Sequence, residues 1–335
     1  MISTVTGEID ENKIGITSPH EHVFIDMRMC VPQSDNLPKY FYDKISIGNR
    51  VEVASDPYAI LDNALLDEKD YAIEELEYFK EWGGQTIIDC TPDEIGRNPE
   101  ALRDISQKTG VNIILGCGHY YDITHPDYLR NAKIEDIAQE MINDITVGIG
   151  NTDIKAGIIG EIGTSAIITD TERKVLTAAG IAGNETKKAI HIHTDLYTEN
   201  GFDIINTLVK EGVSPEKICI DHVDVWLRPD YIKALLDKGV FVEFDNFGKE
   251  FYVSEKRRFA YDLERIKLLK ILIEQGYQDK ILISNDICLK TMWKKYGGQG
   301  YAHILRDVLY MAKENDIDEK TYIQFLTKNV INFIK

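Results

Sequence analysis

His20 and His22 stand one residue apart near the end of the first apolar run, Ser18-Pro19-His20-Glu21-His22-Val23-Phe24. In a β-strand, residues i and i+2 share a face. Two imidazoles that converge from one strand end supply half of a divalent-metal site. The pair alone is equally compatible with polar surface or with a hydrogen-bonded core pair. Other short apolar runs end the same way. At or just beyond their ends stand Cys90, Tyr120 and Tyr121, Glu161, His193, His222, Asp245 and Asp286. Buried carboxylates and imidazoles are costly unless paired or bound to a cation. Their repeated placement at strand ends reads as a metal centre rather than as packing. His191 shares a face with His193 but lies one layer deeper, as a core histidine or as a donor to a ligand. His119 and His125 fall on a loop and His303 on the last helix; all three read as polar surface.

The elements that must position these residues alternate along the chain. The apolar runs are Gly15–Val23, Thr86–Cys90, Asn112–Gly116, Ala156–Glu161, Ala189–Thr194, Lys217–His222, Gly239–Asp245 and Lys280–Asp286. Between and after them, apolar residues recur at helical spacing over Tyr71–Trp82, Pro99–Thr109, Ile134–Val147, Thr171–Lys188, Gly201–Glu211, Pro229–Lys238, Tyr261–Gln275 and Tyr301–Glu314. Continuous apolar strands alternating with helices predict a parallel sheet buried on both faces. Eight such pairs predict an α/β fold, a closed (β/α)8 TIM barrel forming a single domain over residues 1–335. A doubly wound sheet is the alternative, but no Gly-x-Gly-x-x-Gly follows the first strand. Barrel active sites lie at the C-terminal strand ends, where the candidate ligands fall. The stretch Met27–Leu66 is a long loop after strand one, either a lid or an ordered excursion.

Composition narrows the function. The chain has 335 residues and is 43% hydrophobic, enough for a sizeable core. Its formal charge of −18 argues against nucleic acid and anionic membranes as partners. Five cysteines without a Cys-x-x-Cys give neither a disulfide framework nor a zinc-finger pattern. Cys90, Cys117 and Cys219 lie in apolar runs and read as packed thiols. The N-terminal residues lack the basic and apolar regions of a signal peptide, and no run of about 18 apolar residues occurs. A cytoplasmic protein is expected.

With these residues in place, the chain resembles the phosphotriesterase family of the amidohydrolase superfamily, which includes phosphotriesterase-like lactonases and phosphotriesterase homology proteins. The likeness is carried by Thr4-Val5-Thr6-Gly7, Ser18-Pro19-His20-Glu21-His22 and Gly116-Cys117-Gly118-His119-Tyr120-Tyr121. It continues through Gly160-Glu161-Ile162-Gly163-Thr164, His193-Thr194, Asp221-His222-Val223-Asp224 and Ser284-Asn285-Asp286. The resemblance implies a metallohydrolase barrel with two divalent ions, zinc or else manganese or cobalt. It implies that His20, His22 and Asp286 hold a buried ion and that His193 and His222 hold an exposed one. Glu161 takes the bridging place that is a carboxylated lysine in many members. Asn246 stands where lactonases acting on acyl-homoserine lactones often carry an arginine, which speaks against that substrate.

Two ions about 3.5–4 Å apart lower the pKa of a shared water toward neutrality. The resulting hydroxide attacks a carbonyl or phosphoryl centre, and Asp286 shuttles the proton. Tyr120 is placed to hydrogen-bond the substrate carbonyl. The expected substrate is a sugar lactone, plain or phosphorylated, and an anionic one is favoured. Barrels often bind phosphate in the last two βα loops, which makes Arg258, Tyr261 and Lys290 the candidate subsite; Arg265 reads as a structural ion pair. Alternatives are an organophosphate hydrolase of the same family, a TatD-type deoxyribonuclease, which shares a His-x-His pair and a Gly-Glu-Ile-Gly stretch, and a non-catalytic metal-binding barrel. The sequence leaves the assembly open, a homodimer included.

Overall fold

The computed structural model describes residues 1–31, 34–254 and 257–335. Eight parallel strands form the barrel: β1 Thr17–Glu21, β2 Thr86–Asp89, β3 Asn112–Leu115, β4 Ile159–Gly163, β5 Ile190–His193, β6 Ile218–Ile220, β7 Phe241–Phe244 and β8 Ile281–Ile283. Strands β1 to β3 pair in parallel in one arc and β4 to β8 in the other. Backbone bonds join the arcs. Gly157 and Gly160 donate to Leu115 and Cys117 across the β3–β4 seam, and Asp286 donates to His20 across the β8–β1 seam at 3.2 Å. The (β/α)8 barrel predicted from the alternation is therefore present.

The strands are apolar throughout because both faces are buried. Ile87, Ile113, Ile159 and Val242 pack outward against the helices. Their sequence neighbours Ile88, Ile114, Ile158 and Phe241 fill the barrel interior. The helices are α1 Lys69–Glu81, α2 Pro99–Thr109, α3 Ile134–Thr146, α4 Asp170–Thr186, α5 Gly201–Lys210, α6 Pro229–Leu236 and α7 Asp262–Glu274. Local chemistry sets their ends. Asn98 caps α2 ahead of Pro99, and Thr169 with Glu172 forms a capping box on α4.

Two features depart from the sequence reading. The last helix breaks at Asp307 into α8 His303–Arg306 and α9 Val308–Glu314. Asp307 there takes hydrogen bonds from both His303 and Arg306. Two further helices, α10 Glu319–Phe325 and α11 Lys328–Ile334, follow. Val330, Phe333 and Ile334 of α11 plug the N-terminal end of the barrel against Ile2, Ile14, Ile88 and Ile114. This closes the end opposite the candidate site. No helix among the described residues is long and apolar enough to cross a membrane.

Candidate metal centre

The two strands that supply the first ligands are irregular at the ligands themselves. Pro19 lacks an N–H, so the β1–β2 ladder cannot run unbroken, and its register shifts between Ser18 and Glu21. The β4–β5 register shifts between Ile159 and Ile162, around Glu161. Such bulges re-aim side chains. Gly160 has φ +112°, and a Cβ there would lie 2.4 Å from the His191 carbonyl, so glycine is required where β4 crosses β5. His222 and Asp286 adopt the left-handed region with φ 62° and 48°, a strain that clusters at functional sites.

The six expected ligands converge. Glu161 lies at the centre. Its Oε2 is 3.2 Å from His193 Nδ1, 3.6 Å from His20 Nε2 and 3.7 Å from His222 Nε2. Its Oε1 is 3.4 Å from His22 Nε2. Asp286 Oδ1 is 3.1 Å from His22 Nε2 and 4.0 Å from His20 Nε2. One donor atom from each of His20, His22 and Asp286 falls within 4.8 Å of the others, and the same holds for His20, Glu161 and His222.

Several observations fit this set to metal ions. His20 Nε2 is buried, has no hydrogen-bond partner, and faces Glu161 and Asp286. His22 Nδ1 is 2.8 Å from Thr91 Oγ1, whose hydroxyl donates to the Phe24 carbonyl at 3.1 Å. Thr91 must then accept from Nδ1–H, which leaves the Nε2 lone pair of His22 aimed into the site. Nitrogen and carboxylate donors of this kind suit zinc, manganese and cobalt.

Buried acids hold the ligands from behind. Asp245 sits 3.0 Å from His222 Nδ1 and also accepts the His222 N–H at 3.1 Å. Burial pushes the Asp245 carboxyl up to about 7, against the pull of His222. Burial would also raise Glu161, but His20, His193 and His222 outweigh it and hold Glu161 well below the usual carboxylate range. Glu21, on the opposite face of β1, accepts from the backbone of Asn285 and Ile287 at 3.0 and 2.8 Å and so fixes Asp286 between them.

The centre opens into a cavity of about 580 Å³. The excursion after β1 supplies one wall, with Met27, Val31, Leu37, Phe41 and Tyr58. Tyr120 lines the cavity, its hydroxyl 3.1 Å from His193 Nδ1.

A model of the phosphotriesterase family matches residues 1–334. The chain belongs to the phosphotriesterase family. An N-acetyltaurine hydrolase of Xenopus tropicalis is 33% identical over 335 residues, 98% of this chain and 96% of that protein. A resiniferatoxin-binding protein from Rhodobacter sphaeroides superposes with a TM-score of 0.95 at 31% identity, covering 99% of this chain and 94% of that one. A lactonase from Listeria monocytogenes superposes at 0.81 with 26% identity, covering 100% and 98%. As a phosphotriesterase-family protein with hydrolase relatives, the chain is a metal-dependent hydrolase.

Within this family member, the three residues expected to bind phosphate do not line the cavity. Arg258 lies in a short ribbon, Tyr252–Ser254 with Arg257–Arg258, ahead of α7. Its guanidinium is taken by Glu264 at 2.6 Å and stacks over the Tyr261 ring, which faces solvent. Lys290 is buried and pairs with Asp62 at 3.1 Å, tying the excursion to the loop after β8. Among the described residues, the lysine and arginine side chains that line the cavity are Arg257 and Lys249. Lys249 is buried and bonded to Asp286 Oδ2. It stands in the cation-rich loop after β7, but nothing in that loop singles it out. Asn246 lines the cavity with its amide tied to Asp224 at 2.9 Å and to Asp245 at 2.6 Å. Arg265 forms the expected structural pair, 2.8 Å from both Asp224 and Asp262.

His119, His125 and His303 are not polar surface. His303 is buried between Asp262 and Asp307, both at 2.8 Å. His125 is buried and bonds the Tyr120 carbonyl at 2.7 Å, which props the loop that carries Tyr120. His119 is nearly enclosed and pairs with Glu94 at 2.6 Å.

Proposed function

We propose that this protein is a two-metal acyl hydrolase that cleaves the amide of a small N-acylated amino acid or amino sulfonate. The observation that carries the reading is the placement of the six-ligand centre at the floor of a largely apolar cavity with Arg257 on its wall. A compact acyl group fits the apolar side, and the anionic end of the substrate fits Arg257. The identity to N-acetyltaurine hydrolases along almost the whole chain supports an amide. A lactone is the second reading, favoured by the structural likeness to a lactonase. Its phosphorylated form has lost the support of Arg258, Tyr261 and Lys290.

His20, His22 and Asp286 would hold one ion, His193 and His222 the other, with an unmodified Glu161 between them. When bound, two divalent ions supply an activated water and polarise the scissile carbonyl. Tyr120 donates a hydrogen bond toward the substrate oxygen from beside His193. Asp286 accepts the proton of the attacking water and delivers it to the leaving nitrogen as the carbon–nitrogen bond breaks. Lys249 keeps Asp286 ionised and oriented for that transfer. The excursion after β1 excludes bulk water. The five cysteines, all unpaired, suit a cytoplasmic protein.

The test is a panel of N-acetyltaurine, N-acetyl amino acids, and plain and phosphorylated sugar lactones, assayed with zinc- or manganese-loaded protein and with chelator. Metal analysis should find two ions per chain. Amide turnover abolished by chelator is expected. Turnover of lactones alone would replace the first reading by the second. Degradation of single-stranded DNA, or no turnover at all, would overturn both.

A further inference from the structure

Beneath the six ligands lies a second set of buried polar side chains that catalysis as described does not use. His191, Asp221 and Glu243 are all fully buried inside the barrel. Three carboxylates without solvent, counting Asp245, are costly unless each is engaged. Glu243 Oε1 accepts from Ser284 Oγ at 2.8 Å. His191 Nδ1 lies between the other two acids, 3.0 Å from Asp221 Oδ1 and 3.3 Å from Glu243 Oε2. The Phe333 ring of the α11 plug packs edge-on against His191 and holds it in place.

Besides His191 Nε2, two atoms of this layer have no hydrogen-bond partner, His20 Nδ1 and Asp221 Oδ2. They face each other at 3.4 Å. Asp245 Oδ2 is almost as near His20 Nδ1, at 3.5 Å, but it already accepts the His222 N–H. Asp245 therefore serves His222, and Asp221 is left for His20. A neutral histidine that gives its Nε2 lone pair to a cation must carry its proton on Nδ1, and that proton needs an acceptor.

We propose that Asp221 is the positioning residue for His20, accepting from His20 Nδ1 and turning Nε2 into the metal centre, and that His191 and Glu243 hold Asp221 in place behind it. The inference rests on the metal-centre reading and adds a specific order: Ser284, Glu243, His191, Asp221, His20. None of the first four touches substrate. Their effect runs through one of the two ions only, the one His20 holds.

The experiment is competition with a chromogenic chelator for zinc, run on the wild type, Asp221→Asn, Glu243→Gln, His191→Gln and the Asp221→Asn/His191→Gln double variant. Thermal unfolding of the metal-free proteins is measured alongside. Asp221→Asn keeps the shape but loses the charge. It should weaken one ion by about 10–100-fold and leave the other at its wild-type affinity. kcat should fall with little change in KM. Glu243→Gln and His191→Gln should weaken the same ion by smaller factors. The double variant should be no weaker than Asp221→Asn alone, because the links act in series. If Asp221→Asn is too unstable to measure, Glu243→Gln decides, and no loss for it would overturn the inference. Unchanged affinities in Asp221→Asn, or equal weakening of both ions with a lowered metal-free Tm, would also overturn it. A wild-type protein that binds no zinc would overturn the metal-centre reading itself.

Discussion

Lys249 and Asp286 form a buried ion pair at the mouth of the candidate metal centre. The two oxygens of Asp286 are thereby divided: Oδ1 faces His22 at 3.1 Å, and Oδ2 faces the lysine. Burial alone would raise the Asp286 carboxyl, yet the Lys249 ammonium and the nearby imidazoles hold it well below its usual range. The proposed proton carrier is thus ionised before substrate arrives. The loop after β7 supplies the cation and the end of β8 supplies the acid.

This pair gives the first prediction. Lys249→Met leaves Asp286 without its counter-ion in a buried site. kcat should fall about 10–100-fold, a loss of the size seen when a partner of a metal ligand is removed. Lys249→Arg should retain part of the rate. Steady-state kinetics on metal-loaded protein, with metal content checked in parallel, decides the matter; a near-normal kcat for Lys249→Met would remove Lys249 from the mechanism.

Glu161 is expected to bridge without modification. Glu161→Gln should lose about 10–100-fold or more in metal affinity or activity. Wild-type activity should not respond to added bicarbonate. Activation by bicarbonate would point to a carboxylated bridge elsewhere.

Arg257 and Arg258 are adjacent but face different surroundings, so their substitution should separate. A charge-assisted contact is worth about 1.5–3 kcal/mol, or roughly 10–150-fold in kcat/KM at 1.4 kcal/mol per decade. Arg257→Ala should show a loss of that order for an anionic substrate and little for a neutral analogue. Arg258→Ala breaks an exposed pair with Glu264 and a stack on the solvent-facing Tyr261 ring, and should leave kcat/KM within about twofold, since exposed pairs contribute little. The reverse order would restore the subsite expected from the sequence.

His119 provides a pH test of stability away from the metal centre. Burial disfavours its charge, but Glu140 and Glu94 raise it to about 9, above the ordinary 6.5. A group raised in the folded state stabilises fully below its unfolded value. That contribution is lost as pH climbs through the folded value. The stability gap between wild type and His119→Gln should therefore be widest below pH 6.5 and close by about pH 9. Urea unfolding at pH 6, 7.5 and 9.5 measures it. A constant gap would mean that His119 acts by packing alone.

The sequence determined the barrel and marked its candidate metal ligands, because both are written in local patterns. Strands buried on two faces must be apolar throughout, and helices between them must carry an apolar stripe, so the alternation is visible residue by residue. Polar residues at the ends of such strands have one place to go, the C-terminal rim, and His20, His22, Glu161, His193, His222 and Asp286 all meet there. Tertiary structure alone decided which cations face the cavity. Lys290 finds Asp62 across 228 residues of chain, and Lys249 finds Asp286 across 37. A lysine or arginine in a loop turns to the nearest acid in space, and sequence spacing does not contain that distance. The same holds for His119, His125 and His303, which look like surface until the acids and carbonyls that bury them are in place, and for Asp221, whose partner His20 lies at the far end of the chain's order but directly across the barrel.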